Sequence, residues 1–165
     1  MARVATVWGS PSSPLVVRLA QTEDVDAVVP LIVEFRDWWQ KAEPSEDAIR
    51  EVVAQLLADD RTEFLLAFDD RAAVGVCQLR YRPSVWTGAD DCWLEDLFVT
   101  ESGRGGGYGR ELVEASFESA RKRGCRRIEL DVNEQNTAAL RFYESLGFTT
   151  EPKPPGRTLF VSRRL

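Results

Sequence analysis

One stretch constrains this chain more than any other. Cys92-Trp93-Leu94-Glu95-Asp96-Leu97-Phe98-Val99 is apolar except for two acids and reads as a buried strand. It runs through Thr100-Glu101-Ser102 into Gly103-Arg104-Gly105-Gly106-Gly107-Tyr108-Gly109-Arg110, which opens a helix reaching about Arg123. Five of the chain's eleven glycines fall within positions 103 to 109. Without a Cβ, glycine lets backbone N–H groups turn toward a ligand. A glycine-rich turn entering a helix N-terminus offers unpaired donors and the positive end of the helix dipole. Such a turn suits a phosphate or a diphosphate.

Elimination narrows the ligand. No Gly-Lys-Ser or Gly-Lys-Thr is present, so a Walker loop is excluded. The dinucleotide pattern G-x-G-x-x-G also fails: counted from Gly103 its third glycine falls on Tyr108, and from Gly105 on Arg110. The chain has no histidine, so acid–base chemistry must use carboxylate, tyrosine, cysteine, lysine or water. With 27 acidic and 21 basic residues the net charge is −6, which argues against nonspecific nucleic-acid binding and accommodates a cationic small molecule. No apolar run is long enough to cross a bilayer, so no membrane partner is expected. Cys77, Cys92 and Cys125 show no C-x-x-C spacing; they imply a reducing, cytoplasmic setting, with no disulfide framework and no metal site.

Along the chain, residues 1–14 carry Ser10-Pro11-Ser12-Ser13-Pro14 and no secretory pattern; a flexible leader is expected there, and a single domain over 15–165. Strands are expected at 15–20, 63–68, 74–81, 92–99, 127–132, 148–150 and 158–162. Helices are expected from an N-cap at Thr22 to about Trp39, from Ser45 to Leu57, through the glycine loop to Gly124, and from Thr137 to Leu146. Pro30 is expected to kink or break the first helix, and residues 83–91 to form a loop. This is an α/β (α+β) chain in the order β-α-α-β-β-β-α-β-α-β-β.

A second motif follows: Asn136-Thr137-Ala138-Ala139-Leu140-Arg141-Phe142-Tyr143-Glu144-Ser145-Leu146-Gly147-Phe148. It resembles the segment N-x-x-A-x-x-F-Y-x-x-x-G-F of the GNAT N-acetyltransferase superfamily. Arg104-x-x-Gly107-x-Gly109 resembles the same superfamily's acyl-CoA motif, Arg/Gln-x-x-Gly-x-Gly/Ala. The resemblance covers roughly residues 15–162. It implies the GNAT fold, a mixed sheet of six to seven strands splayed between the fourth and fifth, flanked by four helices. It implies acetyl-CoA in that gap, with the strand edge at Leu97, Phe98 and Val99 holding the pantetheine arm. The loop Arg104, Gly105, Gly106, Gly107, Tyr108, Gly109 and Arg110 would hold the diphosphate, and Asn136 would contact the arm. Gly106 stands where similar proteins often carry a cation.

The implied reaction moves an acetyl group to a primary amine: a polyamine, amino acid or aminoglycoside, with a protein N-terminus or lysine as alternatives. A non-catalytic acyl-CoA sensor is the rival reading. An alkylammonium must lose a proton before it attacks, and a departing thiolate benefits from a proton donor. The family assigns the donor role to the tyrosine matching Tyr143. Glu95 is the expected base, with Asp96 as the alternative; the one that is not the base would anchor substrate or pair with a cation. Period-two alternation sends Leu94, Asp96 and Phe98 to one face and Trp93, Glu95, Leu97 and Val99 to the other. A buried Glu95 would have a raised pKa; an ion pair with Arg80 is the competing role. Asp96, Trp38 and Trp39 are expected at the acceptor, with Trp86 beside them and Glu34, Asp37, Asp90 and Asp91 at an acidic mouth. A homodimer is expected because dimers are common among similar proteins.

Overall fold

The computed structural model describes residues 7–8, 15–150 and 163. The chain forms two compact units, residues 1–130 and 131–165. The first carries a six-stranded sheet in sequential order: β1 (Val7–Trp8), β2 (Leu15–Leu19), β3 (Thr62–Asp69), β4 (Ala72–Ser84), β5 (Ala89–Val99) and β6 (Arg127–Glu129). All neighbours are antiparallel except β5 and β6, which are parallel. Its helices are α1 (Val25–Trp38), α2 (Glu46–Ala58) and α3 (Tyr108–Lys122). The second unit carries α4 (Thr137–Glu144). This is the expected mixed sheet with four helices.

Several boundaries differ from expectation. Val7 and Trp8, within the segment read as a leader, pair with Arg18 and Val17. The helix runs through Pro30 unbroken. Thr22 does not cap it. Instead Gln21 N–H donates to the Asp24 carboxylate at 2.7 Å, and a single 3-10 turn at Thr22–Asp24 leads in. The loop expected at 83–91 is mostly strand, leaving a four-residue turn at 85–88 with Gly88 at φ +63°. Residues 148–150 are irregular rather than a strand, and the strand expected at 158–162 lies outside the described residues.

The sheet has two differently covered faces. Val28, Val29 and Leu31 of α1 and Ile49, Val53 and Leu57 of α2 pack with Phe64, Leu66, Val76 and Phe98. Val28, Val29, Leu66 and Val76 retain no exposed surface, worth roughly 1.5–3 kcal/mol for each such side chain. The other face receives α3. A Cβ built on Gly75 would come within 3.0 Å of Leu112 Cδ1, so a glycine here lets α3 approach β4 closely. Gly75 is the register partner of Val99, so this approach sets where the glycine loop leaves β5.

The β5–β6 ladder holds three pairs, Asp91↔Arg127, Cys92↔Ile128 and Trp93↔Glu129. The expected strand over 127–132 therefore stops at Glu129. Beyond Trp93, β5 has no strand neighbour on that side among the described residues. The sheet is open between its parallel strands, as expected for a splayed sheet.

Candidate functional site

The glycine loop is built in two steps. Thr100 N–H donates to Val74 O at 2.9 Å, fixing the end of β5. The Thr100 hydroxyl then accepts from Gly103 N at 3.3 Å and caps the short turn Glu101–Gly103. Gly103 is buried, and a Cβ there would sit 3.0 Å from Val99 Cγ1 and 3.2 Å from Val74 Cβ. The chain next passes Gly105 at φ +80° and Gly107 at φ +87°, conformations that cost an L side chain ~1–2 kcal/mol. Gly107 is the N-cap of α3, so the helix starts at Tyr108, four residues after the motif's first arginine.

Helix N-termini leave their first N–H groups without intrahelical acceptors. The N–H groups of Gly105, Gly107 and Gly109 find no acceptor among the described residues. That is a donor set suited to an anion. Tyr108 turns inward instead. It is buried, and burial together with the neighbouring Asp69 carboxylate pushes its phenol pKa up. Its ring also accounts for Gly106, since a Cβ there would lie 2.5 Å from Tyr108 Cε2. Arg104 is exposed, and its Nε donates to Val99 O at 3.4 Å.

The strand edge needs one correction. Because Thr100 N–H points toward β4, the main-chain groups of Phe98 do so too in an antiparallel ladder. Leu97 and Val99 therefore face the open edge. Phe98 is spent on β4 pairing, and its buried ring stacks on Phe35 at 5.2 Å.

A second correction concerns Glu95. The β4–β5 register shifts between Gln78↔Asp96 and Leu79↔Leu94, so Glu95 is the extra residue of a β-bulge. Tyr81 reaches Ser119 of α3, which puts Tyr81, Leu79 and the paired Leu94 on the α3 face. Val76 and Phe98 lie on the α1–α2 face, and Asp96 with them. Leu94 and Asp96 thus point to opposite faces, contrary to simple alternation. Glu95 is exposed at the change of phase, so the burial expected to tune it does not occur. Among the described residues no ion pair joins it to Arg80.

Phe35 links Phe98 to the two tryptophans at the end of α1, with ring centroids 6.4 Å from Trp38 and 6.2 Å from Trp39. Trp38 and Trp39 meet edge to face at 4.9 Å and are 51% and 50% exposed. The Phe35, Trp38, Trp39 spacing of three and four carried this signal, but Phe35 was not singled out from sequence. Trp86 sits on the β4–β5 turn, 91% exposed. Three of the four acids expected at the mouth are taken up in ion pairs. Asp37 pairs with Arg36 at 2.6 Å, Asp90 with Arg61 at 2.8 Å and Asp91 with Arg127 at 2.5 Å.

In the second unit, Asn136 Oδ1 accepts from Ala139 N at 3.1 Å and caps α4, leaving its amide N–H donors for other partners. Tyr143 is half-buried between Phe142 and Phe148, with ring centroids at 5.2 and 5.5 Å.

The model for the acetyltransferase (GNAT) family matches residues 31–148. The chain belongs to the GNAT acetyltransferase family. An uncharacterized N-acetyltransferase of Methanocaldococcus jannaschii is 31% identical over 99 residues, 53% of this chain but 44% of that longer protein. The aminoglycoside N(6')-acetyltransferase type 1 of Salmonella typhimurium is 28% identical over 113 residues, 67% of this chain and 75% of that protein. A solved structure from Arthrobacter sp. FB24, to which an acetyltransferase function has been attributed, superposes with a TM-score of 0.82 at 31% identity, covering 96% of this chain and 100% of that one.

Other groups in this GNAT enzyme are structural. Burial pushes the Cys92 thiol up to about 12 and Cys77 well above its ordinary value, so neither offers a thiolate nucleophile. Glu63, buried on β3, accepts from Tyr81 Oη at 2.8 Å, from Ser119 Oγ and from Arg123 Nε at 2.9 Å. The network ties the end of α3 to the sheet. Among the described residues no cluster of three His, Cys, Asp or Glu is arranged to hold a metal ion, and no helix is long and apolar enough to cross a membrane.

Proposed function

We propose that this GNAT enzyme transfers an acetyl group from acetyl-CoA to the primary amine of a small molecule, directly and without an acyl-enzyme. The observation that carries the reading is the adjacency of two backbone surfaces left unsatisfied among the described residues. The open N–H groups of Gly105, Gly107 and Gly109 suit a diphosphate. The free edge of β5 at Leu97 and Val99 suits an amide-bearing arm added as a strand. The residues fit the group, because the cradle is bare backbone where a Cβ at Gly106 would strike Tyr108. Arg104 and Arg110 supply positive charge for the phosphates.

When bound, acetyl-CoA supplies an activated thioester whose C–S bond breaks as the amine forms its N–C bond. Glu95 takes the ammonium proton, through water, so that the nitrogen lone pair is free to attack. Its place on a bulge projects the carboxylate from the strand into solvent. Tyr143 gives a proton at the departing sulfur and recovers one from solvent. Asn136 holds the arm through its amide N–H groups. The unpaired thiols Cys77, Cys92 and Cys125 fit a cytoplasmic setting, and a homodimer is the expected assembly.

The test is thiol release from acetyl-CoA over an amine panel, with mass detection of the product. Acetylated amine supports the reading. Binding of CoA with no turnover of any amine would favour a sensor instead.

A further inference from the structure

Gln78 of β4 is a buried amide, 6% exposed, that the fold does not use. Thr62, Glu63, Asp91, Thr100, Ser116 and Ser119 are the other buried polar side chains among the described residues, and each is hydrogen-bonded. The Gln78 amide has no such partner among the described residues. Of the polar side-chain atoms sealed from solvent, Arg127 Nε alone lacks a partner. The little surface that Gln78 keeps therefore includes both ends of its amide.

Its place in the sheet says what that surface faces. Along β4 the α1–α2 face runs Val76, Gln78, Arg80. Val76 lies in the core beneath the two helices, and Arg80 is exposed. Gln78 is thus the last covered position before this face meets solvent. Across the sheet it pairs with Phe64 of β3 and with Asp96 of β5. The β5 register slips at this rung: Gln78 pairs with Asp96, Leu79 with Leu94, and Glu95 is left over between them. The amide therefore reaches the surface beside the proposed base.

A buried amide without a protein partner costs stability, and an apolar side chain of similar volume avoids that cost. Gln78 thus serves a ligand rather than the fold. An amide offers an oxygen acceptor and N–H donors side by side. A ligand satisfies both halves only by presenting an N–H and an oxygen on neighbouring positions. We infer that Gln78 binds the acceptor and selects a primary amine next to a carbon that bears oxygen, a β-amino alcohol or an α-amino carbonyl compound; this deepens the proposed function and rests on it. Once Glu95 has taken the ammonium proton, one N–H of the amine donates to Gln78 Oε1. Gln78 Nε2–H donates to the acceptor's oxygen, and the nitrogen lone pair stays free for the thioester carbon.

The experiment compares two matched pairs on the full chain: 2-amino-1-phenylethanol against 2-phenylethylamine, and ethanolamine against propylamine. One arm measures kcat/KM by thiol release from acetyl-CoA. The other measures amine binding to the CoA-bound protein by calorimetry, which needs no turnover. The wild type should prefer the hydroxylated member of each pair by about tenfold or more. Gln78→Met should shrink each preference at least about fivefold, with CoA affinity unchanged and the urea midpoint equal or higher. A β-hydroxyl also makes the amine less basic, but the variant meets the same amines, so the change in preference is the decisive reading. An amide that served only the fold would give the opposite stability result. Equal handling of the paired amines by the wild type, or a preference that survives Gln78→Met, overturns this inference and leaves acetyl transfer to amines standing. A lowered urea midpoint in the variant, or its failure to fold, also overturns it. Failure of the proposed function is separate: no CoA binding and no thiol release with any amine.

Discussion

Asp91 and Arg127 stand opposite each other on the first rung that joins β5 to β6, with Oδ2 2.5 Å from Nη2. The Asp91 side chain is 2% exposed and that of Arg127 35%. This pair fastens the closed end of the sheet from which the other end parts. Burial pushes the Asp91 pKa up, but hydrogen bonds from Arg127, Ser84 and Thr87 outweigh it, and the net shift is downward.

Asp91→Asn should therefore cost about 2 kcal/mol at neutral pH, less than the ~3–5 kcal/mol of a fully buried pair because Arg127 keeps contact with water. A depressed folded-state pKa gives stability that is complete above the ordinary carboxylate value, near pH 4, and is lost as pH falls through the folded value. Urea midpoints of wild type and variant should differ at pH 7 and converge toward pH 3. A constant gap would show that the charge is not the cause.

Arg123→Met should destabilise by about 3 kcal/mol, since it leaves Glu63 buried with a charge and only hydroxyl partners. Arg123 also covers the Tyr81 ring, 4.1 Å from its centroid, and methionine replaces some of that contact. Acetyl transfer at 25 °C should persist with unchanged KM values, because the network touches neither the glycine loop nor the bulge. A selective loss of kcat in a folded variant would give this cluster a catalytic part.

Gly107→Ala tests the cradle. The left-handed conformation at φ +87° costs alanine ~1 kcal/mol, and relief of that strain would turn the N–H groups at the head of α3. CoA should bind about tenfold more weakly, a loss of ~1.4 kcal/mol, with the amine KM unmoved. Gly88→Ala carries similar strain at φ +63° in the hairpin turn and should leave CoA binding alone. Equal effects from both would mean that only global stability was being read.

How much of this was legible in the residues varies with the kind of signal. The glycine loop and the two motifs lie in local sequence, so the loop, α3 and α4 were foreseen within a few residues. Residue phase on β5 was not, because a bulge depends on the partner strand and nothing in Cys92 to Val99 alone marks a break in the period-two geometry of a strand. That hid the exposure of Glu95 and the separation of Leu94 from Asp96. The acidic mouth failed for a similar reason: Asp90 meets Arg61 and Asp91 meets Arg127 only once distant strands align. Gly75 was passed over because nothing in Val74-Gly75-Val76 announces that Leu112 will press on it.

Tyr143→Phe and Glu95→Gln separate the two proposed proton transfers. Phenylalanine preserves the packing of the ring on Phe142 and Phe148, so the variant loses little besides the hydroxyl. Its kcat should fall by about 10²–10⁴, the usual worth of a positioned acid or base, with CoA affinity unchanged. Glu95 is exposed, so Glu95→Gln should move stability by no more than about 0.5 kcal/mol. Its kcat/KM should drop at neutral pH and recover as rising pH deprotonates the free amine without help, whereas the Tyr143 variant should not recover. Parallel pH profiles for both variants, or an unchanged kcat in either, would remove that residue from the proton path.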